Sequence, residues 1–426
     1  MSLRDRLEAV LARLVRASAT ERILISSASL LLSVLVGFVL ILMAGRMTSC
    51  GTAAVSYFGV GFCYDPFLVF NKLFLGALGN PINPDFNPLQ GEFGAIIRPG
   101  FDLLNGQLAT TLSETTILIF AGLAVAVAFR AGIFNIGAQG QLVMGALATA
   151  IVLLYVAPFV SGAFGTLVLL TLGILIGATA GGAFAAIPGA LLAYAEANEV
   201  ITTIMLNFVA TAIALYLAAN RFKDPESFAN QTVALPDVAL FPNVVFQPRD
   251  DFSLLALGFA IVLVFAIWYL LTRTALGYDI RTSGIQPTAA EYAGVDAERT
   301  IVTSMVLSGA LAGVGGAVYV LMVLGNFQTG VPSYGFDGIT VSILAGNSPL
   351  GVGFAALLFG VLKSGSIVVD VGSDVPPQLV GVLRGLIILF VAMPEFFRLI
   401  GARILPENIA EPEQAAPDGG EVTDDE

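Results

Sequence analysis

The amino-acid sequence predicts an all-α polytopic membrane protein: about ten transmembrane helices, both ends inside, and a short helix on the inner face. Three observations carry this. Of 426 residues, 57% are hydrophobic and only 12% charged, about half the roughly 25% charged share of average soluble proteins. The apolar residues fall in runs near the length that crosses a hydrocarbon core, about 20 residues. Arginines gather in the segments that counting of crossings places on one side, as the positive-inside rule requires.

Composition also excludes classes of chemistry. There is no histidine, and Cys50 and Cys63 are the only thiols, which removes most metal sites and Cys/His catalysis; no metal is expected. No G-x-x-x-x-G-K-[ST] run is present, so the chain carries no ATP-binding P-loop of its own. No nucleic-acid partner is expected. The net charge is −12, and eight acidic residues with no basic ones lie between Pro406 and Glu426. Residues 404–426 read as a disordered, solvated tail of the kind a salt-adapted prokaryotic host favours.

Taken in order, residues 1–22 hold Arg4, Arg6, Arg13, Arg16 and Arg22, with Leu3, Leu7, Val10, Leu11, Leu14 and Val15 at helical spacing. They predict a basic amphipathic helix on the inner membrane surface. The rival is a signal peptide, but Ile23–Ala44 is long enough to span and lacks a small-residue cleavage site. Residues 23–403 form one transmembrane domain. Residues 45–114, rich in Pro, Gly, Asn and Phe, lie outside, with a short helix near Phe67–Leu78. There Cys50 and Cys63 allow a disulfide if the loop meets an oxidising exterior; two unrelated thiols fit the spacing equally.

Five spans follow: Thr115–Ala131, Gln141–Ala157, Phe164–Ala193, Val200–Ala219 and Phe252–Thr272. The run Gly177–Gly182 has the small residues of close helix packing in lipid. Counting places Tyr194–Glu199 inside, Asn220–Asp251 outside and the loop 273–299, with Arg273, Arg281 and Arg299, inside. Thr300–Leu324 crosses outward. Gln378–Phe396, followed by Arg398 and Arg403, returns inside. Between these last two spans parity demands an even number of crossings. The apolar stretch 336–366 is broken at Gly346-Asn347-Ser348-Pro349, so two short helices would complete ten crossings; a hairpin that dips in and returns is the alternative.

Polar side chains within apolar runs are the site candidates, because they are costly in lipid and face protein or a water-filled path. Asn135, Gln139 and Gln141 lie in A-G-I-F-N-I-G-A-Q-G-Q at 131–141. They would hydrogen-bond a neutral sugar or base, or else satisfy irregular backbone between two spans. Asn207 lies within a span and suits an interhelical hydrogen bond or a ligand. Asn198 and Glu199 stand at a helix start, where capping explains them. Asp337, Asn347 and Arg384 complete the translocation-path candidates. Arg384 either snorkels outward or faces the path and pairs with Asp337.

The inside loop reads G-Y-D-I-R-T-S-G-I-Q-P-T-A-A-E-Y-A-G-V at 277–295. Pro287 suits the first turn of a short helix and Gly294 its end, a shape a cytoplasmic partner could grip; an ordinary interfacial loop is the plain alternative. This loop resembles the coupling segment of ABC-importer permeases at Gly277, Arg281, Gly284, Pro287, Ala289, Ala290, Tyr292, Ala293 and Gly294. The stretches 131–141, 198–207 (N-E-V-I-T-T-I-M-L-N) and 335–351 (G-F-D-G-I-T-V-S-I-L-A-G-N-S-P-L-G) are similar to the branch serving nucleosides, simple sugars and branched-chain amino acids. They come nearest its nucleoside (guanosine-uptake-like) permeases. The matches cover about residues 115–395; many relatives carry Glu where this chain has Gln139.

The resemblance implies a transmembrane subunit that imports a nucleoside or related polar solute into the cell across the plasma membrane. It would bind no cofactor itself and would make no catalytic contribution. Two ABC ATPase subunits, holding ATP and Mg, would dock inside; a second homologous permease and an extracellular substrate-binding lipoprotein would complete the assembly within membrane lipid. Arg281, Gly284, Pro287, Ala289, Ala290, Tyr292 and Gly294 would couple to the ATPases, and a carboxylate at Ala290 would stop uptake without blocking insertion. Sugar or branched-chain amino acid transport is the nearer alternative. A stand-alone ion-coupled carrier is the alternative from another class, and it lacks the buried acids and histidines of a proton relay.

Overall fold

The computed structural model describes residues 19–57, 59–82, 98, 100–247 and 249–404. The amphipathic helix expected over 1–22 falls almost entirely outside them, as does the acidic tail beyond Ile404. Packing divides the chain into a unit Gly37–Leu386 and a second unit of Met1–Val36 with Ile387–Glu426. All contacts described below lie within the first.

The described elements run α1 (Ala19–Met47), the hairpin β1 (Val55–Tyr57) and β2 (Val60–Phe62), α2 (Pro66–Phe74), α3 (Gly106–Arg130), α4 (Ala138–Val156), α5 (Gly162–Ala195), α6 (Glu199–Asn220) and α7 (Leu254–Arg273). There follow α8 (Ala275–Ile285), α9 (Pro287–Tyr292), α10 (Ala297–Tyr319), α11 (Tyr334–Leu344), α12 (Pro349–Gly372) and α13 (Pro377–Ile404). The fold is an all-α, multi-pass membrane protein. Among the described residues nine helices are long and apolar enough to span: α1, α3–α7, α10, α12 and α13. Cys50 and Cys63 form a disulfide with Cα atoms 5.8 Å apart, closing the β-hairpin loop.

Two boundaries differ from expectation for clear reasons. Helix α3 starts at Gly106, nine residues before the apolar run, because the Asn105 side chain caps it by accepting from the N–H groups of Gln107 and Leu108. Glu114 therefore lies inside a span rather than at the edge of an outer loop. The stretch 336–366 is not two short helices: α11 has 11 residues and α12 has 24. At 1.5 Å per residue α11 is about 16 Å long, roughly half of a bilayer core.

Helix α11 runs beside the inner half of α3. A Cβ on Gly338 would touch the Ala121 carbonyl, one on Gly122 would touch Val341, and Arg130 Nε donates to the Asn347 carbonyl at 2.8 Å. The outer half of this crossing is non-helical chain, Gly325–Ser333, whose backbone pairs with residues 230–235. Between α10 and α12 the chain is thus extended and then a half-length helix, with Asn326 and Phe327 of the extended part buried and Gly330, Pro332 and Ser333 exposed.

The centre is built from α3 and α10, the most enclosed spans. Helix α10 meets α5 through small residues repeated every four positions, Gly173, Gly177, Gly181 and Ala185 on one side and Gly309, Gly313 and Ala317 on the other. A Cβ on Gly177 would lie 2.7 Å from both the Gly313 carbonyl oxygen and Ala317 Cβ. Close backbone approach of this kind is the main source of helix association in lipid, where burial of apolar surface offers no gain. Gly316 does the same against α4, facing the Leu142 carbonyl.

Candidate functional site

The polar stretch between α3 and α4 is a re-entrant elbow. The chain turns at Gly132, whose φ of 73° favours glycine. It then climbs back along α3 so that α4 begins beside α11. A Cβ on Gly335 of α11 would collide with the backbone of Ala138 and Gln139. The N-termini of α4 and α11 therefore meet within the protein, and their unpaired N–H groups need acceptors.

The amides supply them. Asn207 Oδ1 accepts from Gly140 N at 2.7 Å and its Nδ2 donates to the Ile136 carbonyl at 3.0 Å. Gln139 Oε1 accepts from Gly335 N at 2.8 Å while its Nε2 donates to the Pro332 carbonyl at 2.9 Å. Asn135 and Gln141 exchange two hydrogen bonds, 3.0 and 3.1 Å. Asn135 also caps Gly137 N and donates to Ser308 Oγ, which donates to the Ala124 carbonyl. Asn135 is wholly buried and Gln141 nearly so. Asn135 and Gln141 hold the elbow's shape. Gln139 alone of the three also lines a half-open cavity of about 70 Å³, with Val143, Thr211, Ala214, Phe327, Thr329, Gly330 and Val331.

Asp337 lies in the first turn of α11, and its partner is not Arg384. Lys363 of α12 reaches Asp337 Oδ2 at 3.1 Å and Glu114 Oε2 at 3.2 Å. Tyr334 OH donates to Glu114 Oε1 at 3.0 Å, and the Lys363 ammonium lies 3.9 Å from the Tyr334 ring centroid. Arg384 is half-buried on α13 with no ion-pair partner among the described residues. The Asp337 partnership, one of the two roles open to Arg384, goes to Lys363 because the long α12 carries it past the N-terminal end of α11. Glu114 and Lys363 were missed; each is a charge well inside a largely hydrophobic helix that has one other charge, nearer its end, and that is the signal that marks them.

On the opposite face, α8 and α9 form the inner loop. Pro287 opens α9, and Gly294 at φ 86° ends it while Val295 N donates back to the Ala290 carbonyl. Arg281 Nε bonds the Gly277 carbonyl at 3.2 Å, bracing α8. Pro287, Ala289 and Gly294 are exposed, and Tyr292 is 96% exposed. Ala290 is fully buried, so its methyl faces the body and a carboxylate there would unseat α9. Tyr292 and the 82% exposed Ile285 present the outward face instead. A Cβ on Gly284 would strike the Arg130 carbonyl and the Ala131–Gly132 peptide, so the loop rests directly on the elbow. Asn347, at φ 55°, accepts from Ser342 Oγ at 2.9 Å and from Arg130 at the same corner.

No cluster of three or more metal-ligating side chains occurs among the described residues. No solved structure is similar to the chain. Among known proteins, the guanosine ABC transporter permease of Bacillus subtilis is 36% identical over 306 residues, 69% of this chain and 83% of that protein. The nucleoside ABC transporter permease of Lactococcus lactis subsp. cremoris is 33% identical over 341 residues, 78% and 85%. A glucose ABC transporter permease of Haloferax volcanii is 34% identical over 299 residues, 68% and 77%. The model of the family described as branched-chain amino acid transport system / permease component matches residues 107–392, the span from the first turn of α3 to the middle of α13. With its re-entrant elbow, half-length α11 and exposed inner loop all inside that match, the chain belongs to this family of transport-system permease components.

Proposed function

We propose that the chain is the membrane-spanning subunit of an ATP-driven ABC importer in the cell membrane and that it admits a nucleoside. It performs no bond chemistry. ATP and Mg are held by separate ATPase subunits, a second related permease completes the pore, and an extracellular lipoprotein delivers the solute. The observation that carries the reading is the inner loop: a short helix with Tyr292 and Ile285 outward, resting through Gly284 on the elbow that begins α4. Motion of an ATPase docked on that face would be passed by backbone contact to the elbow, and Gln139 ties the elbow to Pro332 and Gly335. The names of the two nucleoside-handling relatives support the substrate class, and neutral amides suit a base and ribose.

The test is uptake by the assembled complex in proteoliposomes. Labelled guanosine should enter with ATP, and adenosine should compete better than ribose, leucine or glucose. Preference for glucose, ribose or leucine would overturn the nucleoside assignment. Tyr292→Asp should cut uptake at least tenfold and weaken co-purification of the ATPase. Normal uptake by that variant would remove the loop from its coupling role.

A further inference from the structure

Helix α11 covers only the inner part of the groove between α3 and α12. A Cβ on Gly338 would touch Ala121, and one on Gly122 would touch Val341 and Val352. Along α12, Ala356 and Phe359 share the Lys363 face and are buried, whereas Ile367 and Asp370, further out on that face, are exposed. Along α3, Leu118 and Ala121 share the Glu114 face and are buried, whereas Gln107, further out, is exposed. Ser364 Oγ donates to the Gln107 carbonyl at 3.5 Å, so the two helices stay together at this level. Pro332 and Ser333, just before α11, are exposed. Glu114, Lys363 and Asp337 thus form the floor of an outward-opening recess, roughly 12–14 Å below the outer ends of α3 and α12.

The floor is fixed except at one point. Glu114 accepts from Tyr334 OH and pairs with Lys363. Tyr334 is buried and meets the Tyr319 ring edge-on, centroids 5.4 Å apart. Lys363 is held by both carboxylates and by the Tyr334 ring face. Asp337 is the most exposed of the three. Among the described residues its Oδ2 is engaged by Lys363, and Oδ1 accepts no hydrogen bond. The ammonium, Oδ2 and Oδ1 therefore present a donor, an acceptor and a second acceptor in that order. A buried ion pair adds little net stability, and ionisable groups within membrane spans mark solute paths.

Two carboxylates against one ammonium leave the floor negative. Near the outer helix ends Asp370 and Asp374 are exposed, and Asp250 lies against Gly106. Lys72, which donates to the Gly372 carbonyl, is the cation that their contacts place beside them. The balance is acidic and favours a neutral solute with N–H donors over an anion. Guanine offers O6 as acceptor, then the N1–H and N2–H donors, along one edge. That order complements Lys363, Oδ2 and Oδ1. Adenine presents an amine and an unprotonated ring nitrogen instead, which leaves the second acceptor facing a lone pair.

Resting on the nucleoside reading above, we propose that Asp337 and Lys363 are specificity-determining residues that read the edge of the base and select guanine over adenine. Glu114 and Tyr334 are positioning residues, which hold the Lys363 ammonium beside Oδ2. Inosine keeps O6 and N1–H but lacks the second amine, so it ranks between guanosine and adenosine.

The test uses the complete transporter in proteoliposomes with one binding protein throughout, so that protein's own selectivity cancels between variants. Asp337→Asn turns one acceptor into a donor, the pattern adenine complements, while Lys363 keeps Glu114. The guanosine-to-adenosine uptake ratio should fall at least tenfold, and co-elution of all subunits checks assembly. An unchanged ratio, or loss of the second permease from the complex, would overturn the site; the latter would make the cluster a subunit contact. A second measurement leaves the floor intact. Cys50 and Cys63 are disulfide-bonded, so Ser333→Cys supplies a single thiol at the recess for a maleimide added from outside. Guanosine should slow its labelling at least threefold more than adenosine does. Equal or absent protection would overturn the site even if Asp337→Asn failed to assemble. Wild-type complex that moves glucose or leucine and no nucleoside would overturn the nucleoside reading as well, whereas guanosine uptake with an unchanged ratio in Asp337→Asn sinks this site alone.

Discussion

Replacing Lys363 by methionine tests the charged network directly. Lys363, Glu114 and Asp337 retain 14%, 17% and 27% of their side-chain exposure, so all three are mostly withdrawn from water. At these separations and an effective dielectric near 20, each ion pair attracts by roughly 5 kcal/mol before desolvation is counted. The useful quantity is the cost of cutting one side, about 3–5 kcal/mol for a buried pair, because the abandoned charge stays buried. Here one ammonium serves two carboxylates, so Lys363→Met leaves two like charges facing each other, and we expect a loss of about 3 kcal/mol. The triple variant Lys363→Met/Glu114→Gln/Asp337→Asn removes all three charges and should recover most of it. Denaturant unfolding in micelles can be followed by Trp268, the single tryptophan, on α7. A single variant within about 1 kcal/mol of wild type, or a triple variant no better than the single, would refute the reasoning.

Other perturbations reach separate parts of the fold. Gly313→Leu places a side chain against the Gly177 carbonyl and should abolish accumulation in the membrane, read by quantitative immunoblot. Asn207→Leu strips acceptors and donors from Gly140 N and the Ile136 carbonyl. It should cost about 2–4 kcal/mol in the same unfolding assay, since two buried backbone groups lose partners. Burial, and then the neighbouring Asp250 charge, hold the Asp251 carboxyl above its ordinary value of 3.8. Ionisation therefore disfavours the folded state, and stability from this group is largest below pH 3.8 and declines as pH rises through the raised value. Asp251→Asn should raise the melting temperature at pH 7, with the difference vanishing below about pH 3.

Much of the candidate site was legible as anomaly. Asn135, Gln139, Gln141 and Asn207 stand out because amides are rare in apolar runs, and Pro287 with Gly294 marks a short helix by backbone chemistry alone. Their partners were not legible. Gln139 meets Pro332 and Gly335 more than 190 positions away, a pairing that no local periodicity encodes. Of the two roles open to Arg384, pairing with Asp337 falls to Lys363 instead, because the two cations differ in where their helices place them. Glu114 was assigned to a loop because the apolar run begins after it, whereas the helix begins at the Asn105 cap.

By itself the chain's sequence determined that this is a multi-pass helical membrane protein, which end of each span carries cations, where the breaks fall and which family motifs it bears. Those properties follow from composition and from spacing along one chain, since lipid forces every backbone group to be satisfied within its own segment. Only the tertiary structure decided that the stretch between α10 and α12 is part extended chain and part half-length helix, and that two helix N-termini meet at Gln139. It alone decided that Lys363 bridges Glu114 and Asp337, and that Ala290 faces inward while Tyr292 faces out. Each of these depends on which helix lies beside which, and in lipid that is settled by close packing of glycine faces and matching of distant polar groups.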